Sequence, residues 1–127
     1  MLSILICDDD MSTVATIQTI VESVLNAEDK RARFHMYTDA GAISKQIMES
    51  CDIALLDIDY DGAAYNGMDI ARKLRSLRSD TVIIFVTNFI EYAPAGYEVR
   101  AFRYLLKQEM QQKLPLYFRD ALAEIPH

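Results

Sequence analysis

Hydrophobic residues along this chain form short continuous runs, separated by stretches in which they recur at helical spacing. The five runs are Leu2 to Cys7, Phe34 to Thr38, Asp52 to Ile58, Thr81 to Thr87 and Phe102 to Leu106. Runs that are apolar throughout, rather than alternating, are typical of parallel strands covered on both faces. The pattern therefore predicts an α/β fold, a doubly wound five-stranded parallel sheet with helices on both faces.

The segments between and after the runs predict the helices. Ser12 is expected to cap the first helix, and the last helix is expected to start at Pro115, where a missing N–H costs nothing. Pro94 and Gly96 predict an irregular helix over Phe89 to Ala101. The apolar faces of the first three helices are formed by Val14, Ile17, Ile20, Val21, Val24 and Leu25; by Ile43, Ile47 and Met48; and by Met68, Ile70, Ala71, Leu74 and Leu77.

Composition narrows the class of protein. The 127 residues, 51% of them hydrophobic, suit a single domain spanning 1–127. A net charge of −6 argues against a bare nucleic-acid-binding surface. No apolar run is long enough to cross a bilayer and Met1 leads straight into a strand, so a cytoplasmic protein without membrane contact is expected. Cys7 and Cys51 lack metal-ligand spacing and are expected to be buried thiols.

Polar residues whose side chains can bind a metal or take part in a reaction follow the apolar runs directly. Asp8 and Asp9 follow the first run, Asp57 lies near the end of the third, Thr87 ends the fourth and Lys107 follows the fifth. Because the carboxyl ends of parallel strands meet at one edge of a sheet, these side chains are expected to share one pocket.

Clustered carboxylates raise one another's pKa unless a cation is present. An all-oxygen donor set suits Mg²⁺ or Mn²⁺, and Asp8, Asp9 and Asp57 are the predicted ligands. Asp10 extends the acidic run, so Asp9 and Asp10 remain an alternative pair. One carboxylate could also attack a phosphoryl group, and Asp57 is the natural candidate.

A phosphoryl group in transfer carries negative charge on its equatorial oxygens, so the site needs a cation and hydrogen-bond donors facing it. Lys107 supplies the cation and Thr87 the hydroxyl. With Asp57, these two residues form the predicted catalytic set.

The motifs together resemble a known family. They are Ile6-Cys7-Asp8-Asp9, Leu56-Asp57-Ile58, Val86-Thr87-Asn88 and Leu106-Lys107. Over essentially the whole chain they resemble the receiver domain of two-component response regulators, which implies a flavodoxin-like strand order 2-1-3-4-5. Glu91-Tyr92-Ala93 and the segment from Ala101 to Lys107 are similar to receivers attached to LytTR-type (LytR/AgrA class) DNA-binding domains.

The resemblance implies a signalling switch rather than a conventional enzyme. Asp57 would accept a phosphoryl group from the phosphohistidine of a sensor histidine kinase, or from a small phosphodonor, and lose it slowly by hydrolysis. Asp8 and Asp9 would hold Mg²⁺ with Asp57 and the backbone carbonyl of Asp59. Thr87 would then move toward the phosphoryl group, and Tyr104 would turn inward as the switch aromatic.

The resemblance also implies partners. A homodimer is expected through the fourth helix, the fifth strand and the last helix, over Phe89 to Tyr97, Phe102 to Tyr104 and Tyr117 to Leu122. No output domain is expected within this chain, so promoter DNA would be bound only through a further domain that regulates transcription.

Besides the additional Asp10, the chain departs from the family pattern at two places, and three alternative functions remain open. Gln108 stands where the family usually has Pro, and the loop from Asp57 to Gly67 is longer than usual. Asp57-Ile58-Asp59 also fits a haloacid-dehalogenase-type phosphatase with Asp59 as general acid. The segment starting at Asp57 also opens like a calcium loop, although Met68 replaces the closing Glu. The third alternative is a receiver-like interaction module that works without phosphorylation.

Overall fold

The strands and their order agree with the predicted architecture. In the computed structural model, which describes residues 1–58, 65–78 and 80–126, the strands are β1 (Leu2–Cys7), β2 (Ala32–Tyr37), β3 (Ile53–Leu56), β4 (Val82–Thr87) and β5 (Arg103–Leu106). They form one parallel sheet in the order β2-β1-β3-β4-β5. The flavodoxin-like order 2-1-3-4-5 is therefore confirmed.

Helices cover both faces of this sheet. They are α1 (Met11–Ala27), α2 (Lys45–Ser50), α3 (Gly67–Leu77), α4 (Ala93–Glu98) and α5 (Met110–Glu124). Ile4 and Ile6 of β1 pack in the core beneath α1 and α5, whereas Leu5 packs in the core beneath α2 and α3. This division follows from the alternation of side chains along a strand and confirms the doubly wound prediction.

The N-cap of the first helix lies two residues earlier than expected. The Asp10 carboxylate accepts the Ser12 N–H at 3.2 Å and both the Ser12 and Thr13 hydroxyls, so Asp10 is the N-cap and the Ser12 prediction is wrong. A carboxylate satisfies the free N–H groups of a first turn better than a neutral hydroxyl, because it is anionic at the positive end of the helix dipole.

The last helix is also longer than predicted. A 3-10 turn at Lys107–Glu109 leads into α5 at Met110, which places Pro115 inside the helix. Pro115 has no N–H to donate to the preceding turn, and the burial of Leu114 and Phe118 on α5 offsets that loss. Helical periodicity alone does not reveal such compensation.

The fourth and second helices differ slightly from their predicted bounds. The segment after β4 forms a 3-10 turn at Ile90–Tyr92 and then the short α4, with Pro94 in its first turn. Ile43 precedes α2 instead of lying on its face, although Ile43 is buried. Cys7 and Cys51 are buried thiols, as expected, and burial raises the pKa of Cys51 to about 12. Within the described ranges, no helix has the length and apolar character needed to span a membrane.

Candidate functional site

Two carboxylates lie buried side by side at the carboxyl ends of the central strands. Asp8 is 0% and Asp57 4% exposed, and each follows a strand that pairs with the other in register. Backbone amides hold both side chains: Asp8 Oδ1 accepts the Asp10 N–H at 2.9 Å, and Asp57 Oδ1 accepts the Ile58 N–H at 2.7 Å. The second oxygen of each carboxylate contacts Lys107.

Lys107 connects the two buried carboxylates. Its ammonium Nζ lies 2.8 Å from Asp8 Oδ2 and 3.0 Å from Asp57 Oδ2. Burial lowers the pKa of Lys107, but its hydrogen bonds with Asp8 and Asp57 outweigh that effect and leave the pKa above its usual value. One cation is thus shared by two anions, and the buried cluster keeps an excess of negative charge.

The pKa of Asp8 reflects that excess. The pKa of Asp8 is raised to about 6 as the net result of burial, which raises it most, of hydrogen bonds from Lys107 and the Asp10 amide, which lower it, and of the neighbouring Asp57, which raises it. The ionised form of Asp8 is costly near neutral pH, so the site favours any additional cation that can reach it.

A third carboxylate completes an oxygen cluster at the rim. One oxygen each of Asp8, Asp9 and Asp57 lie within 4.8 Å of one another, and Asp9 is exposed. Three converging carboxylates, one open to water, fit a small divalent cation that keeps several water ligands, such as Mg²⁺ or Mn²⁺. Hydrogen bonds from Thr13 and Ser12 lower the pKa of Asp10, which caps α1. The predicted backbone ligand at Asp59 lies outside the described residues.

The two predicted switch residues contact the same peptide segment. Thr87 is buried at the end of β4, and its Oγ1 accepts the Phe89 N–H at 3.4 Å. The Tyr104 hydroxyl donates to the Phe89 carbonyl, and its ring lies 5.8 Å from that of Phe85. Burial, with Glu91 nearby, raises the pKa of Tyr104 to about 12, so this hydroxyl remains a donor. Phe89 therefore links Thr87 to Tyr104.

Gly67 is a site residue that the sequence analysis treated only as part of a turn. A Cβ on Gly67 would lie 1.7 Å from the backbone oxygen of Asp57, and the Gly67 N–H donates to the Ile58 carbonyl at 3.1 Å. Any side chain there would push the Asp57 backbone out of place. Its sequence signal was its position between a capping Asn66 and an apolar helix face.

Comparison with known families identifies the family to which this chain belongs. The profile of the family described as the response regulator receiver domain matches residues 4–119. The chain belongs to this family. The receiver prediction is thus confirmed, and the domain is the receiver of a two-component system. Family membership also weighs against the phosphatase alternative. The calcium-loop alternative requires a helix before Asp57, and the structure has strand β3 there.

Curated relatives point to one branch of the receivers. The chain is 29% identical over 121 residues to the sensory transduction protein LytT of Bacillus subtilis (strain 168), covering 92% of this chain and 48% of that protein. It is 26% identical over 118 residues to LytT of Bacillus anthracis, covering 90% and 44%. The resemblance to LytTR-class receivers agrees with these relatives. The chain spans about half the length of the LytT proteins that it matches.

Solved structures share the fold. A response regulator receiver domain protein from Clostridium thermocellum superposes with a TM-score of 0.75 at 20% identity, covering 97% of this chain and 95% of that one. The signal receiver domain of a DNA-binding response regulator from Colwellia psychrerythraea 34H superposes with a TM-score of 0.78 at 16% identity, covering 97% and 99%. These matches concern the fold of the receiver.

Proposed function

We propose that this receiver is a phosphorylation-dependent switch in which Asp57 accepts a phosphoryl group from the phosphohistidine of a sensor histidine kinase. The observation that carries the proposal is the Lys107 ammonium lying within 3.0 Å of both buried carboxylates. Asp57 Oδ2 forms the new O–P bond as the N–P bond of the donor breaks, and the histidine nitrogen keeps that bonding pair. Lys107 faces the charge carried by the transferred group.

Asp8, Asp9 and Asp57 are proposed to hold Mg²⁺, or Mn²⁺ in its place. When bound, the ion would neutralise charge on the phosphoryl oxygens and offset the repulsion among the carboxylates. Asp10 already accepts hydrogen bonds from the Ser12 and Thr13 hydroxyls and from the Ser12 backbone amide at the start of α1, which favours the Asp8 and Asp9 pair over Asp9 and Asp10.

Thr87 and Tyr104 are proposed to convey phosphorylation to the surface. Both contact the backbone of Phe89, so a move of the Thr87 hydroxyl toward the phosphoryl group removes an acceptor from the Phe89 N–H. The segment would then rearrange, and Tyr104 would lose its carbonyl partner and turn inward. This arrangement supports a two-state switch biased by one local charge.

Acetyl phosphate with Mg²⁺ tests the proposal directly. We expect the intact mass to increase by one phosphoryl group, with the modified peptide containing Asp57. Asp57→Asn should take up none, and Asp29→Asn is the matched control because Asp29 is exposed and its positive φ of 54° suits Asn. An unmodified wild-type protein would favour the phosphorylation-independent module instead, and rapid turnover of the donor would favour a phosphatase.

The proposed output follows from the relatives and from exposed apolar groups. Because LytT proteins are about twice as long as this chain, we propose that the receiver controls a DNA-binding output domain. Tyr97 on α4 is 88% exposed and Leu116 on α5 is 56% exposed, which supports a homodimer through α4, β5 and α5. Light scattering before and after phosphorylation tests this, and a phosphorylated protein that stays monomeric at high concentration would contradict the dimer.

A further inference from the structure

The turn between β5 and α5 contains no proline that would restrict the backbone next to Lys107. Lys107 is the first residue of the 3-10 turn Lys107–Glu109, and Gln108 is the second. A lysine side chain has many rotamers, and a turn built from Lys, Gln and Glu places no covalent restriction on φ. A contact must therefore hold the backbone from which Lys107 extends toward Asp8 and Asp57.

The Glu109 carboxylate supplies such a contact. Its Oε1 accepts the backbone N–H of Leu106 at 3.1 Å, and its Oε2 pairs with the Lys113 ammonium one helical turn further along α5. Hydrogen bonds from Lys113 and from the Leu106 amide lower the pKa of Glu109. The carboxylate thus ties the last residue of β5 to the first turn of α5.

We propose that Glu109 is the positioning residue that aims Lys107 at the Asp8 and Asp57 pair. Leu106 immediately precedes Lys107, so fixing the Leu106 amide fixes the direction in which the Lys107 side chain leaves the strand. The inference rests on the proposed phosphoryl transfer, because it assigns Glu109 a role in that reaction through Lys107. Glu109 itself touches neither Asp8 nor Asp57 in the contacts of the described residues.

A double-mutant cycle tests whether Glu109 acts through Lys107. The rate of phosphoryl uptake from acetyl phosphate is measured for wild type, Glu109→Ala, Lys107→Ala and the double variant, at a temperature where circular dichroism shows all four folded. Misplacing a catalytic group by an ångström costs up to about 100-fold, and we expect Glu109→Ala to slow uptake about tenfold. In the Lys107→Ala background the same substitution should change the rate less than about twofold.

Two further variants separate positioning from general damage. Glu109→Gln keeps an oxygen that can accept the Leu106 N–H, so it should recover most of the rate although it loses the charge facing Lys113. Glu124→Ala removes an exposed carboxylate from the far end of α5 and should leave the rate unchanged.

The outcomes distinguish this inference from the function on which it rests. If Glu109→Ala slows uptake by the same factor with and without Lys107, or leaves the wild-type rate unchanged, Glu109 does not aim Lys107. If the wild-type protein takes up no phosphoryl group at all, the proposed function itself fails.

Discussion

The two ends of the sheet each carry an acid–base cluster, and the clusters differ in how deeply their carboxylates are buried. At the carboxyl end, Lys107 is shared by Asp8 and Asp57, and Asp9 adds a third carboxylate. At the amino end, Arg78 pairs with Asp52 at 2.9 Å, and Asp52 also accepts the Ser3 N–H at 2.8 Å. Both carboxylates that pair with Lys107 are at most 4% exposed, whereas Arg78 pairs with Asp52, which is 18% exposed, and with Asp80, which is 69% exposed.

The amino-end cluster holds the starts of neighbouring strands together. Arg78 donates to the Cys51 carbonyl at 3.0 Å and to Asp80 at 2.8 Å, and the Thr81 hydroxyl donates to the same carbonyl at 2.9 Å. The two contacts with the Cys51 carbonyl join the end of α3 and the start of β4 to the segment that leads into β3. Because water reaches Asp80, this network stabilises the fold without the cost of a second buried anion.

The contrast indicates how a structural cluster differs from a functional one of similar composition. Both contain aspartates and one long cation, but the two paired aspartates are both buried at the carboxyl end and not at the amino end. At the carboxyl end, burial and a neighbouring carboxylate raise the pKa of Asp8. Unbalanced buried charge costs stability and therefore suggests binding chemistry.

Removing Arg78 should have the largest effect on stability. We expect Arg78→Ala to lower the free energy of unfolding by about 2 kcal/mol, because Asp52 and the Cys51 carbonyl both lose a charged donor. Urea denaturation measures this, with Arg72→Ala as the matched control: Arg72 is 55% exposed and should change stability by less than about 0.5 kcal/mol. Equal effects of the two variants would contradict a structural role for the amino-end cluster.

Magnesium should stabilise the protein through the other cluster. At ten times its Kd, a ligand that binds only the folded protein adds about 1.4 kcal/mol, which thermal unfolding detects as a higher Tm. Asp8→Asn should remove most of that increase, whereas Asp52→Asn should retain it because Asp52 lies at the opposite end of the sheet. An increase that survives in Asp8→Asn would place the ion elsewhere.

Neutralising a carboxylate should have opposite signs at the two ends. In magnesium-free buffer, Asp57→Asn should raise the free energy of unfolding by about 1 kcal/mol, because it removes one of two buried anions that share Lys107. Asp52→Asn should lower it by a similar amount through the loss of the Arg78 pair. A strongly destabilised Asp57→Asn protein would mean that this carboxylate is structural.

The smallest expected difference is in how the free energy of unfolding depends on pH. Because the pKa of Asp8 is raised from 3.8 to about 6 on folding, the folded protein binds a proton more tightly than the unfolded chain does. The resulting stabilisation is fully present below pH 3.8 and is lost as the pH rises through about 6. Comparing the unfolding free energy of wild type and Asp8→Asn across this range isolates the slope, which the variant should lack.

Much of the fold followed from local patterns. Continuous apolar runs identified all five strands, since parallel strands are buried on both faces and leave a one-dimensional signature. Helix boundaries were less predictable: Asp10 rather than Ser12 caps α1, and α5 begins before Pro115. Caps and interior prolines depend on competing hydrogen bonds and on burial, which periodicity does not record.

The sequence by itself determined which residues could form the site, because strand ends in a parallel sheet converge whatever the loops do, and Asp8, Asp57, Thr87 and Lys107 all lie at such ends. Only the tertiary structure decided how they meet. It showed that Lys107 bridges both carboxylates, that Gly67 lies against the Asp57 backbone, and that Glu109 holds the turn. Those distances depend on packing between elements far apart in the chain, and local residue patterns carry no information about it.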